Sequence, residues 1–322
     1  MDRVDRRGAL PLFHDFTRWV VRTLRMPIPL SQLETWSHLG AVATSSAAYA
    51  SIKNALLKAS SPLAYRSVDI FLQGSYRNAT NIYGDSDIDV VVYYPYSYTR
   101  DVSALNPVER QFEQANFLPA TYLWSQLRDE TLAALRSHYG LNAVTPANKS
   151  IKAQTGSGRP SDVVPAIEFR RYVSFASTGQ YTAYQGIQLY DAAGTSIINY
   201  PKLHIDRGED KNQATRTAGY YKPTVRVFKN LRNYLVDHYL LAKGVAPSYF
   251  IECALHNIPD HLFIAPLNIT VPAILAHLWT TPRAALLCQN GIVPLFGGDV
   301  TQWSEANYVA FVAAALNAWQ NW

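Results

Sequence analysis

The chain has 322 residues, of which 48% are hydrophobic and 16% charged. This balance is typical of a globular protein with a large core and excludes an extended disordered chain, and the length allows two packed lobes. The formal net charge of +5 favours anionic ligands. No long block of lysine and arginine occurs, so binding to nucleic acid or membranes through charge alone is not indicated.

The two cysteines, Cys253 and Cys288, exclude a disulfide framework and predict buried thiols in a reducing compartment. The amino terminus has no continuous apolar segment of the kind found in signal peptides. No segment reaches the ~20 apolar residues that span a bilayer. We therefore expect a cytoplasmic protein without a membrane partner.

Apolar spacing predicts helices at both ends of the chain and strands between them. A helix is expected at residues 10–26, and Ser31 with Glu34 has the capping-box form that predicts a long helix running on to about residue 58. Strands are expected at 68–72, at 88–94 (where Pro95 should end the strand), at 162–169 and, as short strands, within 173–203. Further helices are expected at 116–139, 224–243, 271–279 and 304–320.

This order predicts an α+β fold with a mixed sheet, a long N-terminal helix and a helical C-terminal lobe. We expect the N-terminal helices and the sheet-bearing lobe to occupy residues 1–218, and the helical lobe to occupy residues 219–322. A ligand site is expected in the cleft between the two lobes.

Two aspartates, Asp87 and Asp89, open an apolar strand that follows a Gly-Ser pair and a polar loop. Side chains two residues apart on a strand face the same way, so both carboxylates point together. Such a pair repels unless a cation lies between, and hard oxygen ligands suit Mg²⁺ or Mn²⁺. Asp-x-Asp alone can also be the polar face of a strand. Gly74, which permits close backbone approach, and Ser75, which can bind phosphate, favour the metal interpretation.

A third carboxylate is needed for two-metal chemistry, and Asp162 is the best candidate because it also opens an apolar strand. Glu168 and Asp191 are alternatives. Asp162 would otherwise be a loop acid that caps a turn.

Three cations, Lys222, Arg226 and Lys229, share one face of a predicted helix. An ordinary amphipathic helix also places charge in solvent in this way. The functional interpretation is a cationic surface that neutralises a triphosphate. The spacing leaves open which lysine reaches the phosphates.

The Gly-Ser loop and the acidic strand together resemble the signature of polymerase-β-type nucleotidyltransferases. More narrowly, the chain resembles the CD-NTases, the bacterial relatives of cyclic GMP–AMP synthase and oligoadenylate synthase. The segments that carry the resemblance are residues 74–82, 85–92, 162–165, 221–231 and 247–252.

The resemblance implies an enzyme that makes a cyclic di- or oligonucleotide second messenger from nucleoside triphosphates, on a polymerase-β-like nucleotidyltransferase lobe. The implied metal ligands and catalytic residues are Asp87, Asp89 and Asp162, with two Mg²⁺ (or Mn²⁺) ions per active site. The implied reaction is attack of a ribose hydroxyl on an α-phosphate, with pyrophosphate leaving.

The resemblance also implies the residues that bind the nucleotide. Gly74, Ser75, Lys229 and Ser248 would hold the triphosphate, and Tyr249 would stack on a base, an interaction that accepts any base. It further implies a role in antiphage defence, in which the product activates a separate effector protein. The chain has no obvious zinc module, so no DNA activator is expected.

One hypothesis concerns the residue that selects the nucleobase. Glu168 lies six positions after Asp162 and shares its face in a regular strand, so its carboxylate could accept from an exocyclic amine of a base. A salt bridge from Glu168 to Arg170 or Arg171 is equally compatible with the sequence.

Two other functions remain open at this point. An enzyme of the same fold could make linear oligonucleotides, tail RNA or modify a small molecule. A protein of a different class would only bind nucleotides on an inactive transferase scaffold. The intact trio of acids weighs against the second alternative, because a binding module has no need of such a costly carboxylate cluster.

Overall fold

The computed structural model describes residues 28–40, 43–83, 87–156 and 160–322. The helix predicted for residues 10–26 lies outside the described residues. Within them, the chain runs from helices through a mixed sheet to a second group of helices, so the predicted α+β class is confirmed.

The segment predicted as one long helix forms two helices, α1 (Leu30–Ser37) and α2 (Ala43–Leu57). Between them the Gly40 amide donates to the carbonyl of Asn81 at 3.0 Å, and a Cβ at Gly40 would overlap with the next carbonyl of that loop. This close approach requires glycine and interrupts the helix. The predicted cap at Ser31 is also wrong, because α1 begins one residue earlier.

Seven strands of the described chain form one mixed sheet. Its long central strands, β2 (Ile88–Asp101) and β5 (Pro160–Phe175), pair in parallel, and β1 (Asp69–Gln73) pairs antiparallel with the other edge of β2. The remaining strands are β3 (Val144–Pro146), β4 (Ile151–Gln154), β6 (Tyr181–Tyr190) and β7 (Ser196–Asn199). The order is β1-β2-β5-β4-β3, with β6 pairing with the later part of β5 and with β7.

Strand β2 continues beyond Pro95, which was predicted to end it. The ladder between β2 and β5 is irregular between Tyr94 and Tyr98. Pro95 therefore lies where a regular ladder hydrogen bond from its nitrogen is not required.

Further helices follow along the chain. They are α3 (Gly74–Asn78), α4 (Pro107–Asn116), α5 (Trp124–Tyr139), α6 (Pro201–Lys211), α7 (Ala214–Thr217), α8 (Tyr221–Asp237), α9 (Ser248–His256), α10 (Leu267–Thr280) and α11 (Glu305–Asn321), with 3₁₀ turns at Leu141–Ala143, Asp260–Leu262 and Arg283–Ala285. The helix predicted for 116–139 begins only at Trp124, after a segment that contains Pro119, and the helices predicted for 271–279 and 304–320 are confirmed.

Helix α8 ends before the predicted residue 243. Tyr239 adopts a left-handed conformation with φ of 59°, and the amides of Leu240 and Leu241 donate back to the carbonyl of Leu235. This is the geometry of a helix C-terminus that is formed here without glycine, so the sequence gives no signal for it.

The hydrophobic residues divide between the sheet and the helices. Ile28 and Leu33 share a buried core with Val225, Phe228 and Ile274 of the later helices. Helices α2 and α5 pack instead against one face of the sheet. Helix α1 thus packs with the helices after residue 219, and the division at residues 218 and 219 remains a prediction.

Among the described residues, none of the helices combines the length and apolar character that crossing a bilayer requires.

Candidate active site

A cavity of about 830 Å³ lies between the end of the sheet and the later helices. Its volume falls in the upper part of the range of roughly 300–1,000 Å³ that is typical of small-molecule sites. The sheet side contributes Gln73, Gly74, Ser75, Asn78, Asp87, Asp89, Lys149, Ser150 and Asp162. The helical side contributes His204, Pro247, Ser248, Tyr249, Phe250 and Glu252.

The carboxylates of the cavity are arranged by strand register. Asp89 pairs directly with Asp162 across the parallel β2–β5 ladder, and with Gln73 across the antiparallel β1–β2 ladder. Asp87 precedes β2 by one residue. The sheet therefore brings together three acids that are far apart in sequence.

A cation lies among these acids. The Lys152 Nζ atom is 3.2 Å from Oδ1 of Asp162 and 3.9 Å from Oδ2 of Asp87. Asp162 also accepts a hydrogen bond of 3.1 Å from the Ser150 hydroxyl. The half-exposed lysine neutralises part of the charge that would otherwise make these carboxylates repel one another.

The donor set suits a hard divalent cation, because it consists of carboxylate oxygens at the end of an apolar strand pair. Within the described ranges, no group of three His, Cys, Asp or Glu side chains is drawn together closely enough to enclose a metal ion. Both Lys152 and Ser150 contact the same oxygen of Asp162, Oδ1.

Gly74 is required at its position. Its φ of +68° lies in the left-handed region, and a Cβ there would overlap with Oδ2 of Asp89. The backbone at the start of α3 thus runs directly against the carboxylate of the acidic strand, with Ser75 next to it in the cavity wall.

The helical wall of the cavity begins at the N-terminus of α9. Ser248 is the first residue of this helix, and its hydroxyl accepts a hydrogen bond of 3.3 Å from Arg232. Tyr249 stacks on His204, with ring centroids 5.2 Å apart and an interplanar angle of 23°. Free backbone amides and the positive end of a helix dipole favour anions at this wall.

Comparison with known proteins gives the family. Residues 206–320 match the model of the cGAS/DncV-like nucleotidyltransferase C-terminal helical domain. The cyclic nucleotide synthase CdnE01 of Staphylococcus haemolyticus is 37% identical over 305 residues, which cover 92% of this chain and 100% of that protein. The cyclic UMP-AMP synthase of Rhodothermus marinus is 36% identical over 299 residues, which cover 92% of this chain and 99% of that protein. The chain belongs to the CD-NTase family.

A solved structure supports the same assignment. The Rhodothermus marinus CdnE c-UMP-AMP synthase with Apcpp and Upnpp superposes with a TM-score of 0.81 at 35% identity, covering 92% of this chain and 98% of that chain. This CD-NTase is accordingly a nucleotidyltransferase that produces a cyclic oligonucleotide. The predicted family, fold and enzyme class are confirmed.

The three cations predicted to face the triphosphate lie away from the cavity wall of this CD-NTase. Lys229 is fully buried and donates to the carbonyl of Thr80 at 2.8 Å. Arg226 donates to the carbonyls of Ser37 and Ala79, both at 2.5 Å, and burial lowers its pKa to about 10.

Lys222 forms an ion pair of 2.8 Å with Glu209. All three cations therefore bind protein groups in this structure, and Lys229 and Arg226 bind the backbone just after α3. Direct binding of phosphate by any of them remains a prediction.

The rivals of Asp162 are placed elsewhere. Glu168 is buried and forms an ion pair of 2.7 Å with Arg170, which is the alternative that the sequence left open, and it is not part of the cavity wall. Asp191 caps a turn by accepting from the amides of Ala193 and Thr195. Of the three candidate acids, Asp162 is the one that the sheet places beside Asp89.

The residues of the site that were not predicted from the sequence include Lys152, His204 and Glu252. Lys152 reaches Asp162 through the antiparallel β4–β5 ladder, and a four-residue strand gives little sequence signal. His204 Nε2 lies 2.9 Å from the Glu252 carboxylate, across 48 residues of sequence. Glu252 lies inside a segment that carries the family resemblance, which was the one available signal.

Proposed function

We propose that this CD-NTase uses Asp87, Asp89 and Asp162 to hold Mg²⁺ or Mn²⁺ and joins two nucleoside triphosphates into a cyclic dinucleotide in the cavity between the lobes. The observation that carries the proposal is the pairing of Asp89 with Asp162 on adjacent strands, against the backbone of Gly74. The names of the relatives, which describe cyclic dinucleotide products, support the ring size.

The two walls of the cavity suit the two parts of a nucleotide. Gly74 and Ser75 on the sheet side, with the first turn of α9 at Ser248, would bind the triphosphate through amides and hydroxyls. Tyr249 would contact a base, since its ring is part of the wall and is held by its stack on His204. The Rhodothermus marinus structure, which contains Apcpp and Upnpp, supports nucleotide substrates.

The chemistry expected of the site is attack of a ribose hydroxyl on an α-phosphate. The bound ions would neutralise triphosphate charge and make the attacking hydroxyl more nucleophilic. The protein contributes position: the sheet fixes the carboxylates, and the cavity walls hold the reacting groups together, which removes much of the entropic barrier of a bimolecular step.

Product analysis tests this proposal. Purified protein would be incubated with the four labelled nucleoside triphosphates and Mg²⁺ or Mn²⁺, beside an Asp87→Asn/Asp89→Asn variant, and the products treated with alkaline phosphatase before mass identification. We expect a phosphatase-resistant, metal-dependent dinucleotide that the variant does not make, and its mass reveals the two bases. A phosphatase-sensitive linear product would contradict the proposal.

The same proposal extends to the cell. We expect a cytoplasmic enzyme whose product activates a separate effector protein during phage infection. The test is phage challenge of the source strain with either the wild type or the double variant at its own locus. Equal protection by both would contradict this role.

A further inference from the structure

Donor groups from both lobes converge on the buried carboxylate of Glu252. Asn78 Nδ2 donates to it at 3.1 Å, and the Thr80 hydroxyl donates at 2.6 Å. His204 Nε2 lies 2.9 Å from Oε2, the oxygen that accepts from Asn78. Lys229 Nζ lies 3.6 Å from Oε1, the oxygen that accepts from Thr80. An ionised carboxylate only accepts hydrogen bonds, so Asn78, Thr80 and His204 can donate to it together, while the Lys229 ammonium lies at ion-pair distance.

One arm of this network leads to the sheet side of the cavity. Asn78 is the last residue of α3, and the Thr80 amide donates to the carbonyl of Ser75 at 2.9 Å. Ala79, between them, has a left-handed φ of 54°, which a non-glycine residue adopts only when its surroundings hold it there. Fixing Asn78 and Thr80 therefore fixes the turn that carries Ser75.

The other arm leads to the helical side. Glu252 lies on α9 three residues after Tyr249, so the two share one side of the helix. The His204 ring is hydrogen-bonded to Glu252 at its edge and stacked against Tyr249 on its face. The orientation of the Tyr249 ring in the cavity wall thus depends on a histidine that Glu252 holds.

We infer that Glu252 is a positioning residue that sets the triphosphate side of the cavity, at Gly74 and Ser75, relative to the base side at Tyr249. The inference rests on the proposed function for what each side binds. A single carboxylate reaches both walls without any requirement to touch the reacting atoms, and the cations Lys229 and Arg226 strengthen the same link by binding the backbone at residues 79–80.

A merely structural role for Glu252 makes a different prediction, namely loss of stability without a specific effect on the site. Substitutions of Thr80 distinguish the positioning role from a merely structural one. Thr80 is buried, does not line the cavity and donates a hydrogen bond from its hydroxyl to Glu252. Thr80→Val removes this donor at constant shape, and Thr80→Ser keeps it. Glu113→Gln is the matched control, because Glu113 is a buried carboxylate in an ion pair of 2.7 Å with Arg100, away from this cavity.

The experiment has two readouts. The first is amide hydrogen exchange of residues 74–81 in the nucleotide-free protein, and the second is binding of non-hydrolysable ATP and UTP analogues. In Thr80→Val we expect faster exchange in this segment and affinity lower by about tenfold, because one hydrogen bond to a charged group is lost. Thr80→Ser should stay within about twofold of the wild type, and Glu113→Gln should lower the unfolding temperature without either effect.

Unchanged exchange and binding in Thr80→Val would overturn the inference, as would equal losses of affinity in Glu113→Gln. The exchange readout requires no nucleotide. If the wild type bound neither analogue, the proposed function would fail, whereas faster exchange at residues 74–81 in Thr80→Val alone would still support the positioning role.

Discussion

The backbone of Gly74 lies directly against the carboxylate of Asp89. Gly74 contributes nothing to this contact except the absence of a Cβ. The strand register then places Asp162 on the opposite side of Asp89. The geometry of the acids therefore depends on the absence of a side chain at Gly74 as well as on the acids themselves.

Gly74→Ala tests this dependence. We expect activity to fall at least roughly 100-fold, because the new Cβ displaces Asp89, and small misplacements of reacting groups have effects of this size. Gly140→Ala is the matched control: Gly140 also has a positive φ, of 88°, but a Cβ there would have open space around it. Both substitutions place a side chain on a backbone of positive φ, which costs roughly 1–3 kcal/mol. Steady-state rates are therefore measured at the same interval below each variant's unfolding temperature, so that the comparison isolates the contact with Asp89. Equal losses of activity in the two would contradict the interpretation.

At the scale of elements, helix α8 connects the lobes rather than lining the cavity. Its side chains Arg226 and Lys229 bind carbonyls at residues 79 and 80, and Arg226 also binds the carbonyl of Ser37 at the end of α1. The predicted cationic face exists, but its three charged side chains bind carbonyls and a carboxylate of the protein itself. The helix thereby holds the segment that follows α3.

Lys229→Met and Lys222→Met should differ strongly in stability. Lys229 is fully buried beside Glu252, and removal of one partner of a buried ion pair costs about 3–5 kcal/mol. Lys222 is also buried, but its partner Glu209 is 51% exposed and can be solvated once the lysine is gone, so we expect a smaller loss, about 1 kcal/mol. Urea unfolding of both variants measures the difference. Similar losses would contradict the placement of these lysines.

The elements that the sequence predicted correctly are those with a local signal. The apolar runs after Asp87 and Asp162 are strands, and the register of these strands brings Asp89 beside Asp162. The errors arise from tertiary contacts: Gly40 breaks a helix because a distant loop approaches it, and Pro95 is tolerated because the ladder is irregular there.

In the site, too, residues with a local sequence signal differ from residues that are brought in by tertiary contacts. Asp87, Asp89, Gly74 and Ser75 lie within one short segment and could be found together. Their relation to Glu252 spans more than 160 residues, and the pairing of a buried carboxylate with donors so distant in sequence leaves no periodic pattern. The sequence therefore predicts the groups that carry chemistry better than it predicts the groups that hold them.

At the scale of the whole molecule, the sheet forms one wall of the cavity and the later helices form the other. The interface between these parts contains a buried charge. Burial alone would raise the pKa of Glu252, but the hydrogen bond from His204, the charge of Lys229 and the hydrogen bond from Thr80 outweigh it and lower the pKa to about 2. Glu252 is therefore ionised at neutral pH.

This shift predicts how stability depends on pH. The pKa of Glu252 falls from 4.5 to about 2 on folding, so its ionisation contributes about 3 kcal/mol above pH 4.5. This contribution is lost as the pH falls from 4.5 towards 2. We expect the stability difference between the wild type and Glu252→Gln to be greatest near neutral pH and to shrink on acidification, measured by urea unfolding at a series of pH values. A difference that is constant with pH would contradict an ionised Glu252.

The most direct test of the account compares Asp162→Asn with Asp191→Asn for synthesis of the phosphatase-resistant product. The structure places Asp162 beside Asp89, whereas Asp191 only caps a turn. We predict that Asp162→Asn lowers the rate at least roughly 100-fold, as loss of one electrostatic stabiliser of a transition state typically does, while the unfolding temperature is retained. Asp191→Asn should keep nearly the full rate. Full activity in Asp162→Asn, or equal losses in both variants, would contradict the assignment of the catalytic acids.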